Sequence, residues 1–290
     1  MQPDWTDLRT VLALVRGGTL AAAGDALGVT YTTVARRVAR LEEALGETLF
    51  ERLTDGYRPT ATARLVAERA AEMEASEHAL MRSIAGQDAR LSGRFVVTAP
   101  QLVIAHVLAP SLKRFAEAHP AVELHIRATN DLLDLSRREA DLGIRVSRSP
   151  GDTLKGLRLA AQDTACFGSE TVAERIAVDP EGPVDWILHS GTAEVPKAAM
   201  AQAPGSRVRF RFDDMIAIAA AVQAGLGVAR MPMFLGRALP GVVQVPILPP
   251  TPYADIWVVG HPDVWSSAKS VAFREVIAAD VKAQRTRFVA

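Results

Sequence analysis

Cysteine is nearly absent: Cys166 is the only one in 290 residues. One thiol excludes an internal disulfide and a cysteine-rich metal site. In its apolar surroundings it reads as a small core residue rather than a nucleophile. An excess of charge of one sign is missing as well. The 33 Lys and Arg balance 33 Asp and Glu, so a nucleic-acid footprint has to come from a local arrangement of Arg, not from bulk positive charge. No hydrophobic run is long enough to span a bilayer. The most apolar stretch, 215–229, contains Gln223, Gly225 and Gly227 and ends at Arg230, short of the roughly 20 residues a membrane helix needs. It reads as a buried helix and strand, and no membrane partner is expected. The first residues carry Asp4, Asp7 and Arg9 ahead of any apolar run. That is unlike the basic-then-apolar layout of a secretory signal, so the expected location is the cytoplasm.

Signatures of catalysis are missing too. The six histidines (78, 106, 119, 125, 189 and 261) form no HxxxH or HxH pair, and no Gly-x-Ser-x-Gly elbow occurs. Gly225 and Gly227 follow a helical stretch instead of a strand and lack the third glycine of a dinucleotide loop. No catalytic residue, metal ligand or cofactor is expected, and the chain does not read as an enzyme. What is present is 49% hydrophobic residues, enough for a large core divided over two or more domains.

The first sixty residues have their own pattern. Leu8, Val11, Leu12 and Val15 recur at helical spacing, and Gly17-Gly18 ends that helix. Thr19 is placed to cap a compact Ala-rich helix over 20–27, and Gly28-Val29 makes the tight connection to a third. From Thr30 onward, Val34, Val38, Leu41 and Leu45 line one side, which predicts the core face. Thr32, Thr33, Arg36 and Arg40 project from the other side with Arg37 on the flank. Short hydroxyls and long guanidinium groups on one helix face suit base edges and phosphates, and the helix start at Thr30 and Tyr31 adds free N–H groups. Taken alone, the same face could be merely solvated, since eight basic and eight acidic residues cancel through position 65. Leu49, Phe50 and Arg52 then lead through Asp55-Gly56 to Tyr57 and Arg58, predicting a short β-ribbon with Arg52 and Arg58 beside a DNA backbone.

The run RLEEALG at 40–46 with LFER at 49–52, together with the helix pair that opens at Gly18, resembles the LysR-type transcriptional regulators. The resemblance implies a winged helix-turn-helix over 1–60. Where the family usually has Ser-Gln followed by Pro or Ser, this chain has Thr30-Tyr31-Thr32, and Ala35 replaces a Ser. The preferred base sequence therefore does not carry over from relatives.

No Pro or Gly interrupts 61–85, and Thr60 or Thr62 is placed to cap a helix there. Roughly 25 residues make about 37 Å of helix, too long to pack entirely on a sixty-residue head. Val66, Met73, Leu80 and Ile84 lie near a heptad seam. The family resemblance implies that this linker, 61–90, pairs two copies into a homodimer or homotetramer on a promoter inverted repeat of double-stranded DNA. RNA polymerase is a further candidate partner. A helix docked on its own chain is the alternative.

Beyond 90, strands expected at 94–99, 122–128 and 141–146 alternate with helices at 105–119 and 132–139. The alternation resumes with strands at 186–189, 208–212 and 228–231 around a helix at 214–224, and a helix over 266–282 closes the chain. Such alternation predicts an α/β domain with a parallel-rich sheet. DLGI at 141–144 and AGLGVA at 224–229 with Pro232 are similar to recurrent segments of the LysR-type effector domain. That domain has two lobes, like the periplasmic binding proteins. The resemblance implies crossings near 160–164 and 259–263, giving lobe I as 91–162 plus 263–290 and lobe II as 163–262. Small molecules bind where strands of such sheets end. The predicted strand ends offer Pro100, Gln101, Thr129, Asn130, Arg145, Ser190 and Thr192, with Arg145 or Arg230 as a partner for a carboxylate. The reading is a promoter-binding regulator modulated by a small-molecule effector of unknown identity. The alternatives are a DNA-binding protein without a ligand and an α/β enzyme built on the second domain.

Overall fold

A computed structural model describes residues 3–54, 56–86, 90–130, 135 and 139–290. It divides into two compact units, 1–84 and 85–290. Asp55 of the expected hairpin turn and most of the expected helix over 132–139 lie outside the described residues.

The first unit is a winged helix-turn-helix followed by a long helix. Helices α1 (Trp5–Gly17), α2 (Leu20–Leu27) and α3 (Tyr31–Leu45) surround Val11, Leu14, Val34 and Leu41, all fully buried. Each helix starts on a polar cap: Asp4 accepts from Asp7 N, Thr19 from Ala22 N and Thr30 from Thr33 N. Gly18, Gly28 and Gly46 end them in the left-handed conformation. Leu45 departs from the expected core stripe: it lies in the last turn of α3 and is exposed. Strands β1 (Phe50–Leu53) and β2 (Gly56–Pro59) pair antiparallel as the ribbon. The long helix α4 (Ala61–Gly86) starts at Thr60, whose Oγ1 accepts from Ala63 N. Its first turns bury Ala63, Ala67 and Ala70 against α1.

The second unit has two lobes. In the first, β3 (Gly93–Ala99) is followed by a helical stretch of α5 (Gln101–Val103), a π-helical turn (Ile104–Leu108) and α6 (Ala109–Ala118). The helix thus begins four residues before the expected 105. Strands β4 (Val122–Ala128), β5 (Leu142–Ser147) and β6 (Lys155–Ala160) extend the sheet. The second lobe contains β7 (Asp163–Ser169), α7 (Glu170–Val178), β8 (Asp185–His189), α8 (Lys197–Gln202) and β9 (Arg207–Phe212). It continues with α9 (Met215–Gln223), β10 (Ala229–Pro232), α10 (Met233–Gly236), β11 (Val242–Gln244) and β12 (Thr251–Pro252). The chain then returns through β13 (Asp255–Gly260), α11 (Pro262–Trp265) and α12 (Ala268–Ala283).

The first sheet has the order β4-β3-β5-β13-β6. Its β3 pairs parallel with β4 and β5, whereas β13 is antiparallel to both neighbours. In the second lobe β7 is antiparallel to β10, β11 and β12, while β8 and β9 pair parallel and Trp186 bridges Val228. The first sheet is therefore mixed and the sheet around β7 antiparallel, because the strands that enter a lobe from the other one run against their neighbours. The first crossing, between β6 and β7, falls at the expected 160–164. The second does not fall at 259–263: β13 already sits inside the first sheet, so the chain has crossed back by 253–254. The residues missed were a whole strand, DIWVVG, whose apolar run satisfies a fully enclosed position in the sheet.

Phe95, Phe115 and Phe273 anchor α6 and α12 on the first sheet, with ring centroids 5.3 Å apart for Phe115 and Phe273. In the second lobe, Gly225 ends α9 at φ +73°. A Cβ on Gly227 would stand 2.3 Å from Asp185 O, the atom that accepts from Val228 N. Close approach of two backbones is what the AGLGVA segment provides.

Candidate functional site

In the first unit, α3 is held from both ends. Gly24 lets it dock on α2, since a Cβ there would lie 2.7 Å from Val29 O. Arg40 differs from its expected place in the outward face: its guanidinium binds Asp7, which is almost fully buried, and Asp4. The Asp7 hydrogen bond, the largest influence, raises the pKa of Arg40, and Asp7 N–H does most to lower that of Asp4. Arg40 is thus a clamp between α3 and the start of α1. Glu42 makes the second clamp, its Oε1 accepting from Leu49 N at 2.7 Å and from Phe50 N. This explains the chemistry of RLEEALG: the Arg and the first Glu of that run fasten the helix to its neighbours. The ribbon is seated by Tyr57 N–H on Gly18 O at 2.9 Å.

What the clamps leave outward is a small set. Thr30, Tyr31, Thr32 and Arg36 are exposed, and Thr33 and Arg37 are half-buried. Arg36, Arg37 and Arg52 have no hydrogen bond or ion pair among the described residues. Arg58 pairs with Glu51 on the exposed ribbon. The hydroxyls of Thr32 and Thr33 lie 2.9 and 3.0 Å from Thr30 Oγ1. One rigid helix therefore presents free guanidinium groups and short polar side chains on one face.

Along α4, Val66 is half-buried against the head itself. Met73, Leu80 and Ile84 are 44%, 61% and 57% exposed, so three of the four seam residues are unburied within one chain. Trp5 Nε1 donates to Glu77 and Arg16 to Glu74, so α1 reaches only part of the helix.

The second unit has a cavity of about 270 Å³ between the lobes. Pro100, Gln101, Thr129, Asn130 and Arg145 line it, five of the eight residues expected there. Thr129 and Arg145 are also engaged within the protein. Ser190, Thr192 and Arg230 are not among the lining residues. The turn after β8 is closed by its own side chains, with Arg211 donating to Thr192 O and Ala193 O and His189 Nδ1 accepting from Gly191 N. Arg230 instead joins β10 to β7 and β12 by bonding Thr164 and Thr251. The sequence reading missed Gln162, Asp214, Tyr253 and Phe234. Asp214 was recognisable as the cap of α9, its Oδ1 accepting from Ile216 N and Ala217 N, and Gln162 falls in the expected first crossing.

Cys166 is buried in β7, and burial pushes its thiol up to about 11. At neutral pH the thiol is protonated, the form that is the weaker nucleophile. Among the described residues no cluster of His, Cys, Asp and Glu could hold a metal, and no helix is long and apolar enough to cross a membrane.

Residues 5–64 match the model for the bacterial regulatory helix-turn-helix protein, lysR family, and residues 88–282 match that for the LysR substrate binding domain. The chain is 30% identical over 261 residues to the Mau operon transcriptional activator of Paracoccus denitrificans, covering 89% of this chain and 90% of that one. Its fold is similar to the full-length structure of the Vibrio cholerae virulence activator AphB, with a TM-score of 0.59 at 18% identity, covering 95% and 99% of the two chains. It is also similar to full-length LysG from Corynebacterium glutamicum with bound effector Arg, with a TM-score of 0.50 at 15% identity, covering 98% and 99%. With a lysR-type helix-turn-helix ahead of a LysR substrate-binding domain, the chain belongs to the LysR family of bacterial transcriptional regulators.

Proposed function

We propose that this regulator works in the cytoplasm as a homodimer or homotetramer, laying α3 of each head into the major groove of a promoter inverted repeat. The observation that carries the proposal is the contrast on α3 itself. Arg40 and Glu42 are used up in holding the helix, while Arg36 and Arg37 are left without partners among the described residues. Thr32, Thr33 and Arg36 read base edges, Arg37, Arg52 and Arg58 take phosphates, and the N–H groups at Thr30 and Tyr31 take another. The exposed side chains of Met73, Leu80 and Ile84 meet their counterparts in a second α4. A small-molecule effector enters the cavity between the lobes and shifts how the heads are presented to DNA, acting through occupancy of one state over another. Its neighbour LysG, with an effector bound, supports that role for the second unit. RNA polymerase is a further partner at the promoter, and the chain needs neither a cofactor nor catalytic chemistry of its own.

The test is a footprint and gel shift on the DNA flanking the protein's coding region, repeated at several salt concentrations. The proposal expects protection of an interrupted inverted repeat by an even number of chains, with affinity falling as salt rises. Weak, sequence-independent binding contradicts it.

A further inference from the structure

Two buried oxygens in the wall of the interlobe cavity have no partner among the described residues. Gln162 is 1% exposed, and its Oε1, like Oε1 of Gln101, meets neither solvent nor a donor. Buried acceptors are nearly always satisfied, so two orphans in one wall call for a reason. Turning the amides round does not relieve them. Gln101 Nε2 donates to Ala128 O at the end of β4, and Gln162 Nε2 donates to Ala254 O ahead of β13. Exchanging N and O would set each oxygen against a carbonyl oxygen.

Two charged side chains, Arg145 and Asp214, line the wall as well. Arg145 is already engaged inside the protein. Asp214 uses Oδ1 to cap α9 and leaves Oδ2 without a partner among the described residues. Leu102, Ile144, Met215 and Phe234 supply apolar wall, and Thr98, Thr129, Asn130 and Tyr253 add neutral polar groups. We infer that the cavity takes a small ligand carrying N–H donors on an apolar body, a primary ammonium or primary amide. The side-chain oxygens of Gln101 and Gln162 receive it, joined by Asp214 when the ligand is a cation. The inference rests on the reading of this cavity as the effector site.

Gln162 gives that contact a consequence beyond affinity. It lies in the first crossing between the lobes, and both of its polar ends hold the second: its backbone O accepts from Tyr253 N at 2.8 Å and its side chain donates to Ala254 O. Because Oε1 touches no solvent, a ligand donor meets it only by drawing the amide toward the cavity. That movement loosens the bond to Ala254 and so changes the hinge. Gln162 thereby couples occupancy of the cavity to the angle between the lobes.

Calorimetric titration of the full-length protein with n-pentylamine, pentanamide and pentanoate, matched in length and differing in head group, tests the inference. The amine and the amide are expected to bind at least about tenfold more tightly than pentanoate. Gln101→Leu and Gln162→Leu should each erase that lead. Asp214→Asn keeps the helix cap and should erase only the lead of the amine over the amide. Tighter binding of pentanoate, weakened by Arg145→Gln, overturns the donor class and leaves the cavity as the effector site. Binding that survives the cavity-filling Met215→Trp overturns the cavity reading itself, and no binding by any of the three overturns both.

Discussion

In the head, the groups proposed to meet DNA stand on the outside of one helix, and the half-buried Arg40 and Glu42 fix that helix to its neighbours. In the sensor domain the arrangement is turned inside out. Its polar groups come from the first sheet and the turn after β4, from α5, the cap of α9 and both crossings, and they meet only where the two lobes face each other. A surface site on one helix needs a rigid frame, so its neighbours are fastened by Arg40–Asp7 and by Glu42 on the ribbon. In the cavity between the lobes, by contrast, the side-chain oxygens of Gln101 and Gln162 are buried without a partner among the described residues.

Disturbing the frame of the head should have the largest effect. Gly24→Val drives a side chain into Val29 O and should cost about 3 kcal/mol, read by denaturant unfolding of fragment 1–90, with DNA binding lost alongside. An unfolding midpoint equal to that of the parent would show that α2 and α3 are not packed as described. Glu42→Ala strands the N–H groups of Leu49 and Phe50 and should cost about 2 kcal/mol, whereas Glu42→Gln keeps an acceptor and should recover most of it. The same melts distinguish the two.

Moving outward from frame to face, Arg36→Ala should leave the melt unchanged and weaken DNA binding by roughly 1–3 kcal/mol if it reads a base. If it holds a phosphate, the salt dependence of binding should flatten instead, a difference visible in gel shifts at graded salt. The smallest effect belongs to the sensor core. The Cys166 thiol is raised to about 11, so its neutral form persists well above neutral pH. Iodoacetamide should leave the native protein unlabelled and mark it only after unfolding, and Cys166→Ala should leave DNA affinity unchanged. Rapid labelling of the native protein would place the thiol outside the core.

The same contrast explains what could be read from the sequence. Within the head, helix period, caps and the RLEEALG run specify α1 to α4 almost residue by residue, because each signal is local. The face was legible in Thr32, Thr33 and Arg36. It misled at Arg40, where helical spacing alone does not reveal a buried Asp7 waiting 33 positions earlier. The end of the stripe misled as well, at Leu45, since periodicity does not say where the neighbouring elements stop. In the sensor domain the strand ends at Gln101, Thr129 and Arg145 were legible, because strand and turn signals are local too. Ser190, Thr192 and Arg230 look equivalent by the same rule, but the turn after β8 does not line the cavity and Arg230 is bonded to Thr164 and Thr251, which only the three-dimensional structure shows. The return crossing was placed late because DIWVVG was not recognised as a strand, although its apolar run fits a position enclosed between β5 and β6.

The central claim is that the outward face of α3 reads DNA while the rest of the helix is structural. Selecting a binding duplex from random sequence and measuring the affinity of the parent and the Thr33→Ala, Arg36→Ala double variant for it tests that claim most directly. A loss of about a hundredfold, with an unchanged unfolding midpoint, is the predicted result; undiminished binding by the double variant would contradict it.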